Sequence, residues 1–334
     1  MKQLKYLLLS CYVLFTSEAL QAQDPHFSQY FSAPMLVNPA LTAKGVDDWR
    51  GAINMRSQWW GQSIKPYFTE TASLEKRLGN GQNYWGLGLV ALSDQSNGGI
   101  LKNNYFSLSA AYHITLDAQG RHMLGAGLTG TYANRVLDAS KFLFQSQLGS
   151  MGFQRSIPAN DGITIQKNTY LDVSAGLTYS YTAEKFGLSA GGALFHANKP
   201  REGAYSNTTY NMPTKTTLQA GGWMQVGYNN SLHFSSLAEL QGDNSIYTLG
   251  GIYKIGVNDE LLRSVNVGVW NRFGDAWYPY FALETKNWLV GLTYDFVTSG
   301  AASNASVQSL ELSFVWQMGK GHTQKVAASP VVTY

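Results

Sequence analysis

The chain has 334 residues and a formal net charge of +3, and only 13% of its residues are charged, against about 25% in an average soluble protein. Aromatic residues also reach 13%, beside 34 glycines. No basic run stands behind the small positive charge, so nucleic acid is not an expected partner. No stretch after the leader holds the roughly 18 apolar residues of a membrane-spanning helix.

In chain order, Lys2 and Lys5 precede the apolar run Tyr6 to Phe15, and TSEALQA follows as a small-residue exit. This is the layout of a secretory signal peptide over residues 1–22. Cleavage after Ala22 leaves Gln23 first, and Ala19 is the second candidate. The one cysteine, Cys11, lies inside the leader, where LLSC also has the form of a lipoprotein acylation site although the apolar run continues past it. The mature chain is then free of thiol and disulfide chemistry. An exported, charge-poor, aromatic-rich chain without apolar helices has one remaining membrane solution, the closed β-barrel.

Residues 23–48 contain QDPHFSQYFSAPMLVNPALTAKG, with three prolines and neither a helical nor a strand period. Phe27, Tyr30, Phe31, Met35 and Leu36 nevertheless require burial. The segment is expected either in the periplasm or tucked into the barrel, most simply plugging the periplasmic mouth, with partner contact as a further role.

From residue 49 to 318 the pattern has period two. Phe106, Leu108, Ala110, Tyr112 and Ile114 alternate with Ser107, Ser109, Ala111 and His113, and Leu171, Val173, Ala175 and Leu177 alternate with Asp172, Ser174 and Gly176. About fourteen such segments begin near Trp49, Pro66, Tyr84, Asn104, His122, Asn168, Glu184, Pro213, Asn230, Ile246, Leu262, Ala276, Trp288 and Val307. The expected fold is all-β, a transmembrane antiparallel barrel of about fourteen strands behind a non-strand N-terminal segment. Its even count puts the start of the first strand and the end of the last on the periplasmic side. Aromatics at Trp59-Trp60, Tyr84-Trp85, Trp277-Tyr278 and Trp288 suit interfacial girdles.

The turns GNGQ, DAQG, TAEK, YNN, VNDE and TKN are tight, as periplasmic turns are. Between them lie SDQSNGGILK and the stretches 136–167, 199–212 and 298–306, expected outside, while the connections near Gly61, Gln241 and Gly274 are short on that same side. Phe142, Phe144, Phe153 and Tyr205 in these outer loops are candidate partner anchors. The alternation points Arg56, Arg135, Asp172, Glu239, Asp295 and Glu311 into the lumen, where a barrel must place charge. Glu70 has no clear side. A tail, residues 319–334, continues past the last strand and is expected in the periplasm.

Two motifs invite an enzymatic reading. GAGLTG at Gly125 to Gly130 fits the dinucleotide pattern and GLSAG at Gly187 to Gly191 fits the nucleophile elbow, but both require a strand turning into a helix. Here the strand alternation runs on through each. The six histidines show no metal-ligand spacing. No catalytic residue, cofactor or metal is expected.

The start of the mature chain carries more specific information. Gln23, Asp24, Pro25, Phe27, Ser28, Gln29 and Tyr30, followed by Asn38, Pro39 and Ala40, resemble the N-terminal signature of the PorP/SprF family of type IX secretion outer-membrane proteins. One departure is Lys44 between Ala43 and Gly45, where the family usually carries Ala-Gly directly. The resemblance continues in MRSQWWG, in GLGLVALSDQSNGG, and in LTYDFVTS followed by LELSFVW. It implies a non-enzymatic barrel in the bacterial outer membrane, embedded in outer-membrane lipid. It also implies a secreted surface protein as partner, received through its C-terminal sorting domain and in gliding bacteria an adhesin, with periplasmic or lipoprotein components of the secretion machinery as further partners. A porin or solute-uptake channel is the competing function on the same barrel.

Overall fold

The computed structural model describes residues 24–59, 65–138, 141–158, 167–205, 208–257, 259–299 and 308–319. The leader, Gln23, Trp60 and the tail beyond Gly319 lie outside the described residues.

Fourteen strands form one closed antiparallel barrel: β1 (Trp49–Gln58), β2 (Tyr67–Leu78), β3 (Tyr84–Ser96), β4 (Leu101–Thr115), β5 (His122–Leu137), β8 (Asn168–Thr182), β9 (Phe186–Phe195), β12 (Lys215–Val226), β13 (Asn230–Gln241), β14 (Asn244–Gly256), β15 (Ser264–Arg272), β16 (Ala276–Glu284), β17 (Trp288–Val297) and β18 (Gln308–Met318). Each strand pairs with its neighbour in the chain, and β1 closes on β18 from Trp49↔Met318 to Gln58↔Ser309. Closure leaves no open edge, which is the condition for strands to cross lipid. Every expected strand is present, with starts within a few residues of those predicted.

The period-two pattern sets which face meets lipid. Phe106, Leu108, Leu171 and Leu177 point outward and are exposed, while Ser109, His113, Asp172 and Ser174 between them are buried in the lumen. Glu70 alternates with the buried Thr69 and Thr71, which places it on the outward face. GAGLTG lies inside β5 and GLSAG inside β9, and each strand continues past its motif without turning into a helix.

The end where β1 starts and β18 stops carries mostly tight connections and is called here the turn end; the opposite one is the loop end. At the loop end, SDQSNGGILK is not a long loop. β3 runs through Ser96 and β4 starts at Leu101, because Asp94 pairs with Asn103 and Gln95 with Lys102, so polar residues prolong the ladder and leave a four-residue turn, 97–100. The excursion after β5 contains a short ladder, β6 (Leu148–Gly149) with β7 (Gly152–Phe153), and the one after β9 contains the hairpin of β10 (Arg201–Tyr205) and β11 (Thr208–Asn211). The aromatic girdle is half what the dipeptides suggest. Trp85 and Trp277 face outward, but Tyr84 and Tyr278 are buried in the lumen, since adjacent residues of a strand take opposite faces.

Residues 24–47 fill the lumen in an irregular path with 3₁₀ turns at Tyr30–Ser32, Pro34–Leu36 and Pro39–Leu41. Pro34 and Pro39 open the second and third turns, where a missing N–H costs nothing. Asn38 Oδ1 accepts the Ala40 amide at 2.8 Å and caps the third. The segment does more than plug one mouth. Asp24 lies at the loop end, beside the first residue of β12 and the last of β13, whereas Ala43 reaches Glu75 near the turn end of β2. The reason is hydrogen bonding: an aperiodic segment needs partners for its amides along its whole length, and inward polar side chains supply them.

Candidate functional site: the plug and its lock

Starting at the loop end, Asp24 sits in a ring of charge. Its carboxylate accepts from His196 Nε2 at 2.9 Å and Gln241 Nε2 at 3.3 Å, and Lys215 Nζ lies at 3.5 Å. His196 Nδ1 faces Asp172 at 3.1 Å, and Lys215 also pairs with Glu239 at 3.2 Å. Burial works against the Asp24 charge, but Lys215 and His196 outweigh it and hold the carboxyl below its usual range. Burial likewise opposes charging of His196, yet the Asp172 and Asp24 carboxylates that flank it push it up to about 9, so the imidazole is a cation at neutral pH.

One step inward, Arg56 donates to the His26 carbonyl at 2.8 Å and to Asp295 at 3.0 Å, while Arg272 donates to Asp295 at 2.8 Å. Ser28 Oγ donates to Asp295 at 2.9 Å. The Glu311 carboxylate takes the backbone N–H of Ser28 at 2.7 Å and of Gln29 at 2.9 Å, one per oxygen. The Gln29 side chain donates to the Glu311 carbonyl at 3.0 Å and accepts from Ser313 Oγ at 2.6 Å, repeating the pattern of a strand neighbour. These groups are almost fully buried, so each bond stands in a low-dielectric setting where an unmatched partner is costly.

In mid-lumen the contacts turn aromatic. Phe31 stacks on Trp270 at 4.9 Å between ring centres and meets the edge of Tyr280 at 5.3 Å, and Tyr30 OH lies 2.7 Å from Ser235 Oγ. Arg50 pairs with Glu75 and donates to the Ser32 carbonyl at 2.9 Å, and Asn54 donates to Ser32 Oγ at 2.7 Å.

Toward the turn end the plug touches strand backbone itself. Asn38 Nδ2 donates to the Leu177 and Gly192 carbonyls, each at 3.1 Å, and Ala40 is completely buried. A side chain at Gly127 would collide with the Pro39 carbonyl, and one at Gly176 with Asn38 Oδ1. Gly127 is the third residue of GAGLTG. The motif keeps the wall thin where the plug leans on it. His113 Nε2 and the Thr42 carbonyl lie 2.9 Å apart, and the Ala43 amide donates to Glu75 at 2.7 Å.

All six predicted lumen charges face inward. Arg56, Asp295 and Glu311 meet around His26 to Gln29, while Asp172 and Glu239 belong to the Asp24 ring. Arg135 stands apart at the loop end, paired with Glu202 of the β10–β11 hairpin, whose other carboxylate oxygen accepts from Tyr210 OH at 2.9 Å. Met212 packs below it against Ala133 and Tyr170. Phe27 is buried, and Pro25 borders a cavity beside the plug. Of the loop aromatics, Phe142 and Phe144 are half-buried with ring centres 5.9 Å apart, Phe153 is exposed, and Tyr205 ends β10. Arg50, Asn54, Glu75, His196, Lys215 and Arg272 also hold the plug; Arg50 and Asn54 share the inward register of Arg56 and could have been found from it. Among the described residues no group of three or more His, Cys, Asp or Glu side chains converges as metal ligands do.

Solved outer-membrane barrels share this architecture. The toluene transporter TbuX of Ralstonia pickettii aligns over 86% of this chain and 94% of its own, with 12% identity and a TM-score of 0.51. A deletion mutant of the monoaromatic hydrocarbon channel TodX aligns over 87% and 94%, with 12% identity and a TM-score of 0.55. At such identity the likeness is one of fold. No curated protein matches the chain. The family model described as type IX secretion system membrane protein PorP/SprF matches residues 19–316, nearly the whole chain. With the fold of an outer-membrane barrel and that match, the chain belongs to the PorP/SprF family of type IX secretion system membrane proteins, which is not a family of enzymes.

Proposed function

We propose that the protein is a closed outer-membrane barrel that supports secretion or surface retention of a partner protein, receiving that partner's C-terminal sorting domain at the loop end. In a gliding bacterium the partner is an adhesin. Residues 1–22 act as the export signal, the loop end faces outward, and the turn end with the tail meets periplasmic or lipoprotein components of the secretion machinery. The observation that carries the reading is the filled lumen: residues 24–47 are hydrogen-bonded to the wall from the Asp24 ring to Glu75, which suits a holder and not a diffusion pore. The β10–β11 hairpin and the β6–β7 ladder supply an ordered outer surface on a rigid scaffold.

The test joins two measurements on the intact protein and on a deletion of residues 24–40 that keeps the leader. The intact barrel gives a closed trace in planar bilayers and brings a secreted protein with it from outer membranes, whereas the deletion conducts, loses the partner, or both. A steady open pore in the intact protein would replace this reading with a solute-uptake channel.

A further inference from the structure

A cavity of about 80 Å³ lies between the plug and the wall of β3, β4, β5 and β8. It runs from mid-lumen, at Ser109 and Thr129, to the loop-end ring of Asp24, Asp172, His196 and Lys215. Below it the plug is pressed against Gly127 and Gly176, so the cavity is blind toward the turn end. Its two sides differ in chemistry. Wall hydroxyls of Ser107 and Thr131 are bonded to one another at 2.8 Å, as are those of Thr129 and Ser109 at 2.9 Å, and so have largely met their own needs. Opposite them Met35 and Leu36 of the plug give an apolar surface, which Val90 extends on the wall beside its cross-strand neighbour Ser107.

At the ring two buried atoms, Asp172 Oδ1 and His196 Nδ1, make no hydrogen bond, and the acceptor of the two is the one free to take a donor from outside. Asp172 is buried, its Oδ2 faces His196, and its Oδ1 has no hydrogen-bond partner. A buried carboxylate oxygen without a donor is unfavourable and invites one. The surrounding charge has the same sense. Three carboxylates, Asp24, Asp172 and Glu239, face two cations, His196 and Lys215, which leaves one negative charge unmatched. A water needs roughly 10–15 Å³ of such space, so the cavity has room for an unbranched alkyl stem and not for a folded element.

We infer that this cavity is a receiving pocket for one basic side chain, a lysine or arginine, entering from the loop end with its stem along Met35, Leu36 and Val90 and its charged group on Asp172. The inference rests on the holder reading above and names the chemistry by which a partner segment is gripped. An anion is disfavoured by Asp172, and a neutral apolar group leaves its Oδ1 unmatched.

The experiment uses the purified full-length barrel in detergent and four small probes: n-butylammonium, n-butylguanidinium, n-butanol and n-butyrate. Calorimetric titration is expected to show saturable binding of the two cations and none of the alcohol or the acid. Asp172→Asn, which keeps shape and removes charge, is expected to weaken cation binding by about tenfold or more, the scale of a charged hydrogen bond. Because Asp172 also touches His196, Val90→Phe serves as a second variant that fills the apolar side and leaves the ring intact; it too is expected to abolish binding. Equal binding of butyrate or butanol, absence of saturable cation binding, or unchanged cation binding in the assembled variants overturns the inference. None of these outcomes depends on conductance or partner recovery, so failure here is distinguishable from failure of the holder reading.

Discussion

Replacing Glu311 with alanine is the sharpest test of how the plug is held. Its carboxylate accepts the Ser28 and Gln29 amides at 2.7 and 2.9 Å, and all three residues are nearly inaccessible to solvent. The substitution leaves two buried donors unmatched, at about 1–3 kcal/mol each. The lower bound, about 2 kcal/mol in all, shifts the balance between seated and unseated plug by about thirtyfold. Glu311→Gln keeps one acceptor oxygen and is expected to fall between. Leu312→Ala is the matched control: the neighbouring residue on β18 faces outward and touches no plug residue in the lock. The readout is protease cleavage within residues 24–47 of the detergent-solubilised barrel, alongside single-channel conductance. Cleavage and openings are expected to rise from Leu312→Ala through Glu311→Gln to Glu311→Ala. If Glu311→Ala is as protected and as silent as the parent, hydrogen bonding to this carboxylate is not what seats the plug.

Gly127→Leu forces a side chain against the Pro39 backbone, which cannot rotate aside, so a barrel that assembles at all is expected to conduct; Gly130→Ala on the open outer side, with nothing within 4 Å of the added methyl, is expected to be silent, and heat-modifiable gel mobility reports assembly of both. His196 has its folded value raised from 6.5 to about 9, so its contribution to plug retention is fully present below about pH 6.5 and is lost as pH rises through 9; protection of residues 24–47 against proteolysis is expected to decline over that window in the parent and to stay level in His196→Gln. Arg135→Ala removes the partner of Glu202, and faster proteolysis of the β10–β11 hairpin with an unchanged barrel is the expected result. A cysteine at Ser150, exposed in the β6–β7 turn, is expected to react with an impermeant thiol reagent on intact cells; reaction only after permeabilisation would invert the proposed orientation.

The strands are legible in the sequence because period two is local and lipid demands it of every segment. The inward charges follow from the same alternation: once Arg56 is assigned a side, Arg50 and Asn54 share it without further information. The path of residues 24–47 is a different matter. Composition says that Phe27, Tyr30 and Phe31 must be buried, but an aperiodic segment carries no local sign of where, and the answer lies in side chains more than two hundred positions away, such as Asp295 and Glu311. The SDQSNGGILK turn is misread for a related reason, since polar residues say loop while cross-strand pairing of Asp94 with Asn103 says strand. The glycines of GAGLTG are visible as a pattern, yet their purpose appears only when Pro39 is seen against Gly127.

The route of the plug constrains how the barrel can be made. β1 begins and β18 ends at the turn end, yet Asp24 sits at the loop end, so the chain passes through its own ring before the first strand starts. Threading a finished ring would drag buried charges past one another. Closing the seam from Trp49↔Met318 to Gln58↔Ser309 around a segment already laid against the growing sheet avoids that. On such a route the plug would act as a mandrel, since Phe31 stacks on Trp270 of β15 and Gln29 and Ser28 bond to Thr293 and Asp295 of β17. Any polypeptide fused ahead of Asp24 would have to emerge at the loop end, opposite Met318, which makes the two ends of the barrel chain separately addressable.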